Sequence, residues 1–388
     1  MSHLDFWETG VTYPQLLRSQ LSCLGDLPRP MGPQEGDFKT PLIVQLAGNQ
    51  PDLLVQQASM ILDHTDGNVS GFDLNLGCPQ QIAKKKGGYG AFLMERDLDL
   101  VCNILESLRD SLPESTTVSA KIRLPTDDVT LSYRIPKLVK TGINFLTVHG
   151  RTIHENKTTV RAAHVDRIKL AIDKAHEVDP DLPVIANGGM ETYEDTREVM
   201  RTTGASAAMS SEALLETPNI FSPTSSGLTP RERLMQQISF ATEYLDICAN
   251  IAPPLPGVMG KGGSWNIIKG HLFKFLYRYL NEHTDLRDRL GGDLSLQTIG
   301  QARDLVDELA ERYSKVSDDE LSRCKSSAPE ASWYRRHRKE NCADSSLVPF
   351  GSEEETIESR KQQIRDRILK MKDRKAARET SAANRFLK

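Results

Sequence analysis

Apolar runs and amphipathic segments alternate along the chain from about residue 41 onward. Six short runs carry consecutive apolar and β-branched residues, which is typical of strands buried on both faces of a parallel sheet. The six runs lie at residues 41–46, 71–77, 116–124, 144–150, 182–189 and 204–211. Helical spacing predicts helices between them, at residues 52–64, 98–112, 131–141, 165–178 and 193–203. This alternation of strands and helices predicts an α/β fold.

Polar or glycine-rich residues follow five of these strands, always at the carboxyl end. A (β/α)8 TIM barrel builds its site from such loops on most of its strands, whereas an open doubly wound sheet concentrates them near one switch point. The pattern therefore favours the barrel. Eight strand–helix units are needed and six are visible, and residues 1–40 show no convincing pair of strands. We therefore expect the first one or two units to be missing.

The pattern changes to helices alone after about residue 229, with helices expected at 231–252, 265–282 and 294–315. Residues 317–346 are Ser-rich, mixed in charge and poor in apolar residues, which is typical of a disordered linker. Residues 359–388 contain eleven basic and three acidic residues in a helix-forming composition. We expect an incomplete barrel domain over 1–229, a helical domain over 230–315, and a disordered linker with a basic C-terminal helix over 316–388.

Composition narrows the function classes. The 388 residues are 38% hydrophobic and 26% charged, with a formal net charge of −4, so a polyanion would have to bind a local basic patch. No apolar run is long enough to span a membrane, and the first residues do not resemble a secretory leader. The six cysteines include no CxxC pair, which argues against a zinc site or a disulfide scaffold and fits a reducing compartment.

Cys78 carries the clearest chemical signal. It follows the strand at 71–77 and precedes a glycine-rich loop at 87–90. A thiol at the carboxyl end of a barrel strand points into the mouth of the barrel, where it can act as a general acid or a nucleophile. The alternative is a cysteine that packs as a small buried apolar residue.

Further polar residues end neighbouring strands. Lys121 and His149 are placed to hold an anion or the edge of a cofactor, although exposure of the lysine to solvent and a structural hydrogen bond of the histidine are alternatives. Gln45 adds an amide that can hydrogen-bond a planar ring. The last two strands end in small-residue loops of the kind that cradle a phosphate, although such loops also make good turns. Their residues are Asn187, Gly188, Gly189, Ser211 and Glu212. The set predicts FMN rather than NAD, because no GxGxxG motif opens a helix.

Five segments also resemble the tRNA-dihydrouridine synthases, and in particular the eukaryotic tRNA-dihydrouridine(16/17) synthase branch. They are DLNLGCPQQIAKKKGGYGAFL, SAKIRL, LTVHGRT, VIANGG and AAMSSEALL, in that order, and IIKGHLFKFLYRYLNEHTDLRDRL resembles the helical domain of that branch. The resemblance covers roughly residues 38–295. It implies an FMN-dependent TIM barrel that reduces uridine in the tRNA D-loop with NADPH or NADH.

The resemblance also implies roles for individual residues. Cys78 would protonate C5 of the uracil while reduced flavin delivers hydride to C6. Gln45, Lys121 and His149 would bind the isoalloxazine, and the residues of the two small-residue loops would bind the phosphate. Contacts to tRNA are expected from Asn75, Arg123, Arg151, Lys274 and Arg278, each of which has the alternative of being an ordinary solvated side chain. The basic C-terminal helix is a candidate RNA-holding arm.

Three functions are compatible with these observations. The first is a tRNA-uridine reductase, expected to be a monomer in the cytoplasm or nucleus that binds no metal and no membrane. The second is a catalytically impaired RNA-binding remnant of the same family, which the missing front of the barrel would favour. The third is an FMN oxidoreductase for small molecules, which explains neither the helical domain nor the basic tail.

Overall fold

The computed structural model describes residues 42–65, 67, 69–85, 88–156, 159–250, 264–291, 296 and 298–335. A sheet of six parallel strands forms its first part, and each strand pairs with the next one in the sequence. The strands are β1 (Ile43–Leu46), β2 (Gly71–Leu76), β3 (Thr117–Leu124), β4 (Phe145–Thr152), β5 (Val184–Asn187) and β6 (Ala207–Met209). Strictly sequential order with helical crossovers gives a TIM-barrel-like α/β fold and confirms the predicted fold class. The proposed absence of the first strands concerns residues outside those described.

Helices cover the outer face of the sheet. They are α1 (Pro51–His64), α2 (Gln81–Lys85), α3 (Ala91–Arg96), α4 (Leu98–Ser111), α5 (Asp128–Lys140), α6 (Val165–His176) and α7 (Tyr193–Thr203). Capping explains several starts: Asp97 and Asp127 accept backbone N–H bonds at α4 and α5, and Thr192 forms a capping box with Asp195 at α7. The predicted helices are confirmed to within three residues at each end. The short helices α2 and α3 were not predicted.

The strands are buried on both faces, as expected, but the second face carries polar side chains as well, among them the buried Asp73, Ser119 and Thr147. In β3 the alternate residues Val118, Ala120, Ile122 and Leu124 pack in the core against the helices. The residues between them are Ser119, Lys121 and Arg123, which lie on the opposite face because side chains alternate along a strand. That opposite face is the inside of the curved sheet, and its polar side chains meet across the strand register. Alternation therefore places the polar side chains of β1 to β5 on one shared surface.

A second apolar cluster holds the helical part together. It is built on α8 (Pro230–Asn250), α9 (Ser264–Phe275), α10 (Tyr277–Leu280), α11 (Thr284–Gly291) and α12 (Ile299–Ser314). The helices predicted at 231–252 and 294–315 are confirmed, although the second begins five residues later. The helix predicted over 265–282 is interrupted at Leu276, whose backbone leaves helical angles. None of the helices in the described residues is both long and apolar enough to span a membrane.

The prediction of disorder after residue 315 is wrong for the described residues up to 335. A helix, α13 (Asp318–Arg323), begins with a capping box between Ser317 and Glu320 and is followed by two 3-10 turns. Trp333 and Tyr334 are buried at the end of this segment. A few well-placed aromatic side chains therefore order a stretch whose average composition is polar. The basic segment over 359–388 lies outside the described residues.

Candidate functional site

A chain of hydrogen bonds crosses the polar face of the first three strands. Ser119 Oγ donates to Asp73 Oδ1 at 2.9 Å, and Gln45 Nε2 donates to Asp73 Oδ2 at 2.7 Å. Asn75 Nδ2 in turn donates to Gln45 Oε1 at 2.8 Å. Burial raises the pKa of Asp73 despite these bonds and the nearby charge of Lys121. The network fixes the orientation of both amide side chains.

Asn75 also positions Cys78. Its Oδ1 accepts hydrogen bonds from the backbone N–H groups of Gly77 at 3.2 Å and Cys78 at 3.0 Å. On the other side, the N–H of Ala91 donates to the Cys78 carbonyl at 3.2 Å. Gly90 has a φ of +65°, and a Cβ on it would lie 3.0 Å from the Cβ of Cys78, so this close approach favours glycine. The half-buried free thiol is thus held in a defined place directly after β2.

Four cationic or basic side chains interact with one another beyond Cys78, namely Lys121, Arg123, His149 and Arg151. Burial, followed by the charge of Arg123, lowers the pKa of Lys121 to about 8, while Asp73 acts in the opposite direction. Burial, followed by the charges of Arg123, Lys121 and Arg151, lowers the pKa of His149 to about 2. His149 is therefore neutral at physiological pH, and the cluster carries excess positive charge. Such a cluster favours an anionic ligand.

Arg123 connects the thiol loop to this cluster. Its Nε donates to the Gly77 carbonyl at 2.9 Å, and its Nη1 donates to the carbonyls of Thr152 at 2.9 Å and Glu155 at 3.4 Å. Burial and the charge of Arg151 lower its pKa. The guanidinium spans from the residue before Cys78 to the loop after β4. It therefore fixes one side of the site.

A cavity of about 220 Å³ lies at the carboxyl ends of β4, β5 and β6. Its lining residues are Arg123, His149, Arg151, Glu155, Asn156, Val160, Asn187, Gly188, Gly189, Met190, Met209, Ser210, Ser211, Glu212 and Tyr334. Six of the residues predicted to bind the cofactor are among them: His149, Asn187, Gly188, Gly189, Ser211 and Glu212. The strand ends therefore converge as expected.

Arg151 lines the cavity and is almost completely buried. It is only 5% exposed, its Nε donates to the Arg161 carbonyl at 2.7 Å, and its Nη1 lies 3.3 Å from His149 Nε2. Its Nη2 is buried without a hydrogen-bond partner in the described part of the chain. A buried donor of a charged group without a partner costs desolvation free energy. A ligand acceptor in the cavity would remove that cost by accepting a hydrogen bond from this nitrogen.

The glycines of the β5 loop leave room for that acceptor. Gly188 and Gly189 have φ values of +94° and +85°, which favour glycine. A Cβ on Gly188 would lie 2.6 Å from His149 Cδ2. Asn187 orients the loop because its Nδ2 donates to the Met209 carbonyl of β6 at 2.7 Å. Its amide NH₂ is therefore engaged in holding two strands together.

The remaining predicted residues fall into two groups. Gln45, Asn75 and Lys121 lie on the polar sheet face, where strand register places Asn75 opposite Lys121, and Cys78 follows directly after β2. Arg123 and Arg151 line the cavity and donate to backbone carbonyls, and their predicted tRNA contacts stay predictions. Lys274 lies over the Trp333 ring, 5.5 Å from its centroid. Its predicted tRNA contact remains untested.

Arg278 was predicted to contact tRNA, but the structure places it in the interior. It is 8% exposed, and its Nε lies 3.1 Å from Glu216 Oε1 in a buried ion pair. Its Nη1 donates to the Ala328 carbonyl at 2.8 Å. A guanidinium enclosed in this way does not reach a tRNA phosphate, so the predicted contact is wrong. Its partner lies 62 residues earlier in the chain, which helical spacing alone does not reveal.

Asp73, Ser119 and Tyr334 belong to the site and were not predicted. The two polar residues had a visible signal, because they occupy the same alternating positions as Asn75 and Lys121 in β2 and β3. Tyr334 had no such signal, because it lies more than 100 residues beyond the last strand. The described residues contain no group of three or more His, Cys, Asp or Glu side chains placed to hold a metal. The expectations of a metal-free and monomeric protein remain predictions.

The lowered pKa of His149 predicts a pH dependence of stability. Between pH 6.5 and pH 2 the unfolded chain binds a proton at this imidazole that the native chain does not, so stability falls as the pH drops below 6.5. In urea unfolding of the ligand-free protein, we expect His149→Asn to lose about 1.4 kcal/mol less than wild type between pH 7.5 and 5.5. Equal losses would contradict a buried neutral imidazole.

Comparison with known proteins agrees with this geometry. The family model described as dihydrouridine synthase (Dus) matches residues 11–304. The match begins well before residue 38, where the resemblance was expected to start. It therefore includes part of the segment in which no strands were predicted.

Curated relatives carry names of the same kind. The chain is 35% identical over 260 residues to "tRNA-dihydrouridine(16/17) synthase [NAD(P)(+)]-like" of Mus musculus, covering 67% of this chain and 48% of the relative. It is 32% identical to "tRNA-dihydrouridine(16/17) synthase [NAD(P)(+)]" of Saccharomyces cerevisiae, and the match covers 73% of this chain and 64% of the relative. It is 34% identical to the Schizosaccharomyces pombe protein of that name, and the match covers 64% of this chain and 58% of the relative. The chain thus spans about half to two thirds of these relatives, and it belongs to the dihydrouridine synthase family.

Proposed function

We propose that this chain is a flavin-dependent tRNA-dihydrouridine synthase that reduces D-loop uridines, at positions 16 and 17, with NADPH or NADH. The observation that carries the proposal is the pairing of a positioned thiol, Cys78, with a cationic cavity whose buried Arg151 nitrogen has no acceptor. The names of the curated relatives support the substrate and the reductant. A tRNA substrate would place the protein in the cytoplasm or the nucleus.

The cavity suits the phosphate end of FMN. Arg151 and Arg123 supply positive charge, Arg151 Nη2 supplies a donor, and Gly188 and Gly189 let the backbone approach closely. Pockets that enclose a whole drug-sized ligand usually measure about 300–1,000 Å³. The cavity of about 220 Å³ would therefore hold the phosphate, and the ring system would lie along the polar sheet face.

Side chains on that face match a flavin ring edge. Gln45 is oriented by Asp73, and Lys121 presents an ammonium that forms no hydrogen bond or ion pair within the described residues. An anionic or electron-rich ligand edge would stabilise the charged form of Lys121 and raise its lowered pKa. His149, neutral because it is buried among cations, can donate or accept one hydrogen bond without adding charge.

Cys78 would act as the proton donor. When bound and reduced by NAD(P)H, FMN supplies the hydride that C6 of the uracil receives. The Cys78 Sγ–H bond would break, its proton would pass to C5, and the thiolate would regain a proton from solvent. Asn75 holds the backbone of Cys78 and leaves the thiol free to face an extruded base. The carbon–carbon double bond gains two hydrogens, which gives 5,6-dihydrouridine.

An assay on unmodified tRNA tests the proposal. The full chain is incubated with FMN, NADPH or NADH and a tRNA transcript, and the D-loop fragment is analysed by mass spectrometry. We expect a gain of two mass units for each reduced uridine, dependent on the reductant. A flavin-loaded protein that leaves the transcript unchanged would contradict the proposal. A protein that binds no flavin yet shifts tRNA on a gel would select the RNA-binding remnant instead.

A further inference from the structure

The segment after α13, residues 324–335, returns from the helical part to the cavity. We call it the C-terminal strap. It consists of two 3-10 turns, Lys325–Ser327 and Pro329–Ala331, followed by Trp333 and Tyr334. The family model ends at residue 304, so the strap lies beyond the part of the chain that the family description covers.

Glu216 attaches the strap to the loop after β6. One carboxylate oxygen accepts hydrogen bonds from Ser332 Oγ at 2.7 Å and from the Tyr334 backbone N–H at 3.2 Å. The other accepts from Arg278 Nε at 3.1 Å. Glu216 and Arg278 are both buried, so each charge depends on the other for compensation. This arrangement fixes the backbone of Tyr334 beside the small-residue loop that ends in Glu212.

Arg335 attaches the strap to the second cavity loop. Its Nε donates to Glu191 Oε2 at 2.7 Å, and Glu191 follows directly on the Gly188–Gly189–Met190 turn. The strap is thus joined to the loops of both β5 and β6, which form the two sides of the cavity. Tyr334, placed between these attachments, lines the cavity and packs against Ala213 and Ile220.

We propose that the C-terminal strap is a structural part of the cofactor site and that Tyr334 is a binding residue for its phosphate end. This inference rests on the proposed function. The Tyr334 ring closes one wall of a cavity that also contains Arg151, His149 and Gly188. Excluding water from that wall strengthens the attraction between the guanidinium groups and a bound phosphate, because the local dielectric constant falls. The strap thereby raises affinity for a ligand that carries a phosphate.

Comparison of FMN with riboflavin, which lacks the phosphate, tests the inference in the full chain. For Tyr334→Ala, we expect the Kd of FMN to rise about tenfold and the Kd of riboflavin to change less than about twofold. Tyr334→Phe keeps the ring and is expected to restore the FMN affinity to within about threefold of wild type. Both constants are measured by quenching of flavin fluorescence, and thermal unfolding of each ligand-free variant verifies folding.

Arg335→Ala provides a second variant that leaves the core intact, because the Arg335 side chain is 39% exposed. Loss of this attachment is expected to weaken FMN about threefold without changing riboflavin. Unchanged FMN binding in both alanine variants, or equal weakening of FMN and riboflavin, would overturn the role of the strap. If wild type binds FMN normally in that case, the proposed function stands and only this inference fails. A wild-type chain that binds no FMN would overturn both.

Discussion

Replacing Cys78 by alanine is expected to slow dihydrouridine formation by about 10²–10⁴-fold, the usual contribution of a positioned general acid. The reason is specific to this thiol, since Asn75 and Ala91 fix its backbone on both sides next to the cavity. Alanine keeps that backbone and removes only the proton donor. The FMN affinity of Cys78→Ala is therefore expected to stay within about twofold of wild type, because no ligand-binding charge is lost.

Cys102→Ala is the matched control for this experiment. Cys102 is also half-buried and free, but it lies on α4, where its thiol contacts the Lys137 carbonyl at 3.9 Å. The rate for this variant should equal that of wild type in single-turnover reactions with saturating tRNA. A rate for Cys78→Ala within tenfold of wild type would remove Cys78 from the mechanism. Loss of flavin in that variant would instead indicate a structural role.

Gly188→Ala is expected to abolish most FMN binding. The new methyl group would lie 2.6 Å and 2.8 Å from two atoms of the His149 ring and 3.6 Å from Arg151 Nη1. His149 is buried and its Nε2 lies beside Arg151, so the methyl group displaces both cavity walls. We expect a loss of FMN affinity of about a hundredfold, which corresponds to about 2.8 kcal/mol of binding free energy. The unfolding free energy should also fall by about 2–4 kcal/mol from overpacking and backbone strain.

Gly142→Ala separates the clash from the backbone strain. Gly142 has a φ of +78°, close to the +94° of Gly188, but a Cβ there would meet nothing within 4 Å. This variant should lose only about 1–2 kcal/mol of unfolding free energy, the cost of a left-handed non-glycine residue, and bind FMN like wild type. Urea unfolding and flavin titration measure both effects. Similar FMN affinities for the two variants would show that the β5 loop does not hold the cofactor.

The sheet and its site could be predicted because both follow from local rules. Consecutive apolar runs marked every strand, and polar residues at the strand ends marked the cavity, since parallel strands bring their carboxyl ends to one edge. The alternation within β3 was also visible in the sequence, and it indicates that Ser119 and Lys121 share a polar face. A barrel interior accepts polar side chains that a second layer of helices would not.

Residues whose surroundings come from distant parts of the chain could not be predicted. The enclosure of Arg151 was not visible in the sequence, because it depends on the loop after β4, where the Arg161 carbonyl accepts from Arg151 Nε at 2.7 Å and the His164 N–H donates to the Gly150 carbonyl at 2.7 Å. Arg278 was expected to contact tRNA, but it is buried and Glu216 compensates its charge in the interior. Tyr334 lines the cavity in a segment that Glu216 and Arg335 attach to the loops after β6 and β5. No spacing in the sequence encodes these pairings.

Titration of the ligand-free wild-type chain with FMN tests the central claim most directly. We expect saturation at one FMN per chain with a shifted flavin absorbance, and competition by inorganic phosphate at high concentration. That competition would follow because the buried Arg151 Nη2, which has no hydrogen-bond partner within the described residues, can donate to phosphate in a cationic cavity. An absorbance spectrum that remains that of free flavin at all protein concentrations would contradict a cavity built for this cofactor opposite Cys78.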